Sequence, residues 1–94
     1  MRFTFIGTYD GKRYELQGNG VTDINGAFIS FYHETDYEAI GAARQIQKWV
    51  RVPDGSHFNH YFECVEIHVG DNLIAEVRGA SLYRYGRCMV WQIN

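Results

Sequence analysis

The sequence lacks most of the features that assign a function directly. It has no apolar run near the 18 or so residues of a membrane span, and its start has no continuous apolar segment of the kind found in signal peptides. One proline and two cysteines among 94 residues indicate neither a proline-rich linker nor a disulfide framework. We therefore expect a cytoplasmic protein with no membrane association, in which Cys64 and Cys88 are free thiols; in a secreted protein, one disulfide between them would be the alternative.

Neither sign of charge predominates in the sequence, and it contains no recognisable catalytic motif. A formal net charge of −2 gives no overall attraction to nucleic acid, so direct nucleic-acid binding is not expected. The glycine-rich stretch GNGVTDING matches neither common phosphate-binding pattern, and no serine or cysteine stands in a nucleophile motif. We predict no catalytic residues, no metal and no cofactor, and we favour a protein that is not an enzyme without excluding one.

The composition indicates a folded chain with one core. Hydrophobic residues make up 46% and aromatic residues 16% of the sequence, which excludes disorder. Residues 1–94 are therefore predicted to form a single domain. Alternating aromatic and polar residues around Asp10-Gly11 predict a hairpin. The turn pair Asn25-Gly26 is followed by another predicted strand over about residues 27–32.

One helix is predicted over about residues 36–51. Thr35 and Glu38 have the spacing of a capping box, and apolar residues recur at helical spacing after them. Three strands are expected to follow, over residues 61–69, 73–79 and 87–94. The resulting order, βββαβββ, predicts an α+β fold in which one helix packs on a face of an antiparallel sheet of about five to six strands.

The segment HFNHYFECVEIH contains a row of potential metal ligands: His57, His60, Cys64 and His68. Their spacing would bring neighbouring ligands together on a helix. The surrounding aromatic and β-branched residues favour a strand, however, on which residues four apart are separated by about 13 Å. No metal site is therefore predicted. The odd-numbered residues of this strand are expected to lie in the core, namely Val65, Ile67 and Val69.

The segment VRGASLYRYGRCMVW interleaves arginines with aromatic residues. Arginine and tyrosine are enriched at binding hot spots, so we predict that this segment binds a partner through Tyr83, Arg84, Tyr85 and Arg87. Near the helix start, Asp36 and Tyr37 form a second predicted binding group. A structural interpretation stays open for both: the tyrosines cover a sheet edge, the arginines balance glutamates across strands, and the acids cap the helix.

In size, single-domain α+β pattern, acidic balance and absence of a catalytic signature, the chain resembles small phage-encoded inhibitors of the anti-CRISPR type. The resemblance involves no motif residue. It implies a stoichiometric binder that blocks a protein or nucleoprotein complex of the host by occupying its surface in the host cytoplasm.

Two other hypotheses stay open. The first is a ligand- or nucleotide-binding protein, or a small enzyme, that uses His57, His60 or His68 with Arg87. The second is a homodimer formed by pairing of an edge strand, residues 88–94.

Overall fold

The structure is a computed structural model, and it describes residues 1–23, 25–49 and 62–85. The strands are β1 (Thr4–Tyr9), β2 (Lys12–Glu15), β3 (Gly20–Thr22), β4 (Phe28–Ser30), β5 (Cys64–Val69), β6 (Asn72–Arg78) and β7 (Ser81–Arg84), and the helix is α1 (Asp36–Trp49). The five-stranded sheet has the order β2-β1-β5-β6-β7, and every neighbouring pair is antiparallel. Strands β3 and β4 form a separate two-stranded sheet. The predicted α+β class is confirmed.

The predicted order βββαβββ is wrong in one respect, because four strands precede the helix. The additional strand is β3, which pairs with β4 through Gly20–Ser30, Val21–Ile29 and Thr22–Phe28. A Cβ atom on Gly20 would lie 2.2 Å from the backbone oxygen of Ile29 and 2.6 Å from the ring of Phe28. Glycine therefore permits this close approach, although in the sequence it indicated only a turn.

The C-terminal part differs from the prediction in a second way. The predicted strand over residues 87–94 lies outside the described residues. Within the described residues, the structure shows a strand earlier in the chain, β7, which was not predicted from the sequence. Gly79 adopts a positive φ of 55° in the turn that leads from β6 to β7, a conformation that favours glycine.

The helix begins as its capping box predicts. The backbone N–H of Glu38 donates to Thr35 Oγ1 at 3.2 Å, and the Glu38 carboxylate lies 3.2 Å from the same hydroxyl. These contacts satisfy a donor that the first helical turn would otherwise leave unpaired. Helix α1 then packs across β5 and β6 and also contacts β4. Residues 50 and 51, which the prediction included, lie outside the described part.

The core lies between α1 and one face of the larger sheet. Its members share burial of nearly the whole side chain; the largest are Phe3, Phe5, Phe31, Phe62, Ile46, Ile67, Val65 and Val77. The predicted core face of β5 is confirmed, since Val65 and Ile67 are buried and Val69 is partly buried against the core. The even-numbered residues of β5 therefore lie on the opposite face. In the described part of the chain, no helix has the length and apolar character needed to cross a membrane.

Candidate partner-binding surface

Strand β7 divides its side chains between the two faces of the sheet. Leu82 pairs with Val77, and Arg84 pairs with Ala75. Because Val77 and Ala75 belong to the core and directly paired residues share a face, Leu82 and Arg84 lie on the side of the sheet that carries α1. Tyr83 lies on the opposite side, where it pairs with Glu76.

An open groove lies between α1 and β7. Its volume is about 390 Å³, and it is lined by Tyr37, Ile40, Gly41, Arg44, Leu82 and Arg84. We call it the α1–β7 groove. Among these lining residues the one aromatic side chain is that of Tyr37, 73% of which is open to solvent. The groove thus brings Tyr37 and Arg84, from the two predicted binding groups, onto one surface.

Asp36 lies beneath this surface and not on it. It is 1% exposed and forms an ion pair with Arg84, through Oδ2 and Nη2. Neither Asp36 oxygen accepts a hydrogen bond of regular geometry in the described residues, so the Arg84 guanidinium is the group that compensates the buried charge. The Arg84 side chain itself remains 54% exposed. Asp36 therefore acts within the protein by holding Arg84 at the groove.

Arg44 supplies a second guanidinium to the groove. It donates from Nη1 to the backbone oxygen of Ala80 at 3.3 Å, which links α1 to the turn before β7. Two arginines and one buried carboxylate leave the groove with a positive balance, in a chain whose net charge is −2.

The opposite face of the sheet holds a polar cluster centred on Glu76. The Tyr85 hydroxyl donates to Glu76 Oε1 at 2.5 Å, Arg78 Nε donates to the same oxygen at 3.1 Å, and the Cys64 thiol lies 3.2 Å from Oε2. Burial acts to raise the pKa of Glu76, but these three hydrogen bonds outweigh it and lower the pKa. Burial and the neighbouring carboxylate raise the pKa of the Cys64 thiol to about 12. Cys64 is a buried free thiol.

A second carboxylate, Glu66, lies directly across from Glu76 in the β5–β6 register. Arg13 binds it in a bidentate manner at 2.8 and 3.0 Å, and His68 Nε2 lies 3.0 Å from Glu66 Oε1. Burial acts to raise the pKa of Glu66, while the hydrogen bonds from Arg13 and His68 outweigh it, so the pKa lies below its ordinary value. Each carboxylate is thus compensated by its own cationic partner, which offsets the repulsion expected of opposed like charges.

Neither cluster forms a metal centre within residues 1–23, 25–49 and 62–85. In these ranges, no group of three or more histidine, cysteine, aspartate or glutamate residues is arranged to hold an ion. His68 is occupied by Glu66. Of the other residues in the ligand-binding hypothesis, His57, His60 and Arg87 lie outside the described part.

The predicted binding residues are therefore distributed over two faces. Tyr37 and Arg84 line the α1–β7 groove, with Asp36 beneath them, whereas Tyr83 and Tyr85 lie on or toward the face that carries Glu76. Arg87 lies outside the described residues.

The structural interpretation, in which arginines balance glutamates across strands, holds only in part: Arg78 does pair with Glu76, but the two residues lie on the same strand. Four groove residues were not predicted from the sequence: Ile40, Gly41, Arg44 and Leu82. For Gly41 the sequence did contain an indication, because a glycine in the middle of a predicted helix is unfavourable and calls for an explanation.

The fold and the groove define an α+β protein with an open aromatic and basic surface between a helix and a short strand. No protein-family model, no curated protein and no solved structure matches the chain.

Proposed function

We propose that the protein is a non-enzymatic binding protein that occupies a surface of a larger protein or nucleoprotein complex through the α1–β7 groove. The observation that carries the proposal is the convergence of Tyr37, Leu82 and Arg84, from distant parts of the chain, on one open groove. Tyrosine and arginine beside an apolar side chain are typical of interface hot spots. Blocking then requires no reaction, because bound protein excludes other ligands from the occupied surface.

The distribution of exposed apolar surface supports the same location. Of the seven large apolar or aromatic side chains that are exposed in the described residues, Tyr37 and Leu82 line the groove. Two more, Tyr83 and Tyr85, lie beside it, on or toward the opposite face of the sheet. Such clustering is more informative than isolated exposed residues, which occur on every protein. Tyr83 and Tyr85 extend the proposed contact over the edge of β7.

The proposal is tested by replacing Tyr37 with alanine. Tyr37 is largely exposed, so Tyr37→Ala should leave the melting temperature nearly unchanged while reducing affinity for the partner by about tenfold or more. The matched control is Tyr32→Ala, which removes another exposed tyrosine that does not line the groove. Capture from the lysate of the native host, quantified by mass spectrometry for wild type and both variants, gives the comparison. Equal capture by Tyr37→Ala and wild type would refute the role of the groove.

We further propose that the partner is a host defence complex and that the protein acts in the host cytoplasm. The support for this step is the resemblance to phage-encoded inhibitors in size, fold class and acidic balance. The test is the plating efficiency of a phage on cells with an active CRISPR system that express wild type or Tyr37→Ala. Protection of the phage by wild type and not by Tyr37→Ala is expected, whereas no protection by wild type would contradict the assignment.

The two remaining hypotheses have no specific observation in their favour among the described residues. The ligand-binding or enzymatic alternative depends largely on His57, His60 and Arg87, and the homodimer depends on residues 88–94, all of which lie outside that part of the chain. Light scattering during size-exclusion chromatography tests the homodimer directly.

A further inference from the structure

Gly41 is unusual because nothing in the described part of the chain explains it. It lies in the middle of α1, where glycine is less favourable than alanine. Its φ is not positive, and a Cβ atom placed on it would meet no atom of the described residues within 4 Å other than its chain neighbours and the adjacent backbone of its own helix. Neither backbone conformation nor the packing of these residues therefore requires glycine at this position.

Gly41 leaves an uncovered stretch of helix backbone between two grooves. Gly41 lines the α1–β7 groove, and it also lines a second groove of about 370 Å³ between α1 and β4. The surface of α1 is therefore open on both sides of this residue. A missing side chain on a helix permits another backbone to approach closely.

The outward line of α1 that includes Gly41 is basic. Positions 37, 41, 44 and 48 are four, three and four residues apart, so their side chains follow one another on the same side of the helix. Arg44 and Lys48 continue this line from Tyr37 and Gly41, and Arg84 stands across the groove from α1. Asp36 pairs with Nη2 of Arg84, but a guanidinium has five N–H donors, so other N–H groups of Arg84 remain for a ligand.

We infer that the α1–β7 groove binds an acidic segment of the partner protein, whose backbone lies against Gly41 on the groove side of α1, away from Glu38 and Gln45 of the second groove. Carboxylates of the segment pair with Arg44 and Arg84, and an aliphatic side chain of the segment packs on Ile40 and Leu82. This inference rests on the proposed function and specifies its partner chemistry. Charge complementarity carries it, since the groove is basic within an acidic chain.

The first test defines the chemistry of the ligand while the partner itself is still unidentified. A display library of random 12-residue peptides is selected against the full chain. Enriched peptides should carry aspartate or glutamate next to leucine, isoleucine or valine. Enrichment of basic or uncharged peptides, or no enrichment at all, would overturn the inference, as would stronger binding of a single-stranded oligonucleotide than of any peptide.

The second test uses three variants of α1. Arg44→Glu reverses the charge and should weaken the selected acidic peptide by about tenfold or more, with the loss greatest at low salt. Gly41→Ala should weaken the peptide to a similar degree while raising the melting temperature, a combination that simple unfolding cannot produce. Gln45→Ala, on the side of the second groove, is the control and should retain binding within about twofold.

The same variants separate failure of this inference from failure of the proposed function. If Tyr37→Ala loses the lysate partner while Arg44→Glu and Gly41→Ala retain it, the groove binds a protein but not an acidic segment at Gly41. If Tyr37→Ala also retains the partner, the proposed function itself is wrong. Loss of binding in Gln45→Ala but not in Arg44→Glu would place the contact in the second groove and overturn the inference.

Discussion

Replacement of Gly41 by alanine should stabilise the fold. Apart from its chain neighbours and the adjacent backbone of its own helix, the added methyl group meets no atom of the described residues within 4 Å, so no steric cost from them opposes the change. Alanine is favoured over glycine by about 0.8–1.0 kcal/mol in a helix interior, partly because it restricts the unfolded chain. We therefore expect an increase of about 0.5–1 kcal/mol in the free energy of unfolding. For a domain of about this size, 1 kcal/mol corresponds to a rise of about 4–8 °C in Tm.

Urea unfolding followed by circular dichroism measures this change. The midpoint should increase while the slope m stays constant, because the surface exposed on unfolding is unaltered. Gly7→Ala provides a contrast of opposite sign. A Cβ atom on Gly7 would lie 2.4 Å from the ring of Phe62, which is fully buried, so overpacking should cost about 1–3 kcal/mol. A decrease in stability for Gly41→Ala would show that Gly41 has a structural role and would refute the reasoning.

Three further predictions concern the polar groups. Arg84→Ala leaves the buried Asp36 charge uncompensated and should lower the free energy of unfolding in urea by about 1–3 kcal/mol, less than for a fully buried pair because Arg84 is half exposed. Adding Asp36→Asn should restore part of this stability, and no recovery would argue against the ion pair. In a Cys88→Ser background, Cys64 should resist an aromatic disulfide reagent at pH 8, since its pKa is raised to about 12 and it is buried; rapid modification of the folded protein would contradict this. Because the pKa of Glu66 is lowered in the folded protein, its charge stabilises the fold above about pH 4.3, the ordinary glutamate pKa, and this stabilisation is lost as pH falls through the lower folded pKa. Glu66→Gln should therefore show a smaller fall in Tm on acidification than wild type, and an equal fall would contradict the assignment.

The sequence was sufficient to predict the start of the helix and the core face of β5, because each depends on residues that are close together in the chain. Thr35 and Glu38 are close in sequence and form the predicted cap. The alternation in β5 correctly identified Val65 and Ile67 as core residues, because burial on one face imposes a period of two on the strand.

The features that depend on tertiary contacts were not predictable in the same way. All residues of β7 are exposed, so no apolar alternation distinguished this strand from a loop. The ion pair between Asp36 and Arg84 joins residues distant in sequence, and the opposition of Glu66 and Glu76 depends on a register that one sequence does not define. One groove residue did stand out in the sequence: Gly41, a glycine in the middle of the predicted helix.

Photo-crosslinking from the groove is the most direct test of the central claim that the groove contacts a partner. Tyr37 is replaced by benzoylphenylalanine, the protein is irradiated in the lysate of the native host, and crosslinked products are identified by mass spectrometry. The control carries the same probe in place of Tyr32, which is also exposed but does not line the groove. We predict one dominant crosslinked protein from position 37 and a much weaker product from position 32. Equal crosslinking from both positions, or a specific product from position 32 alone, would contradict the account.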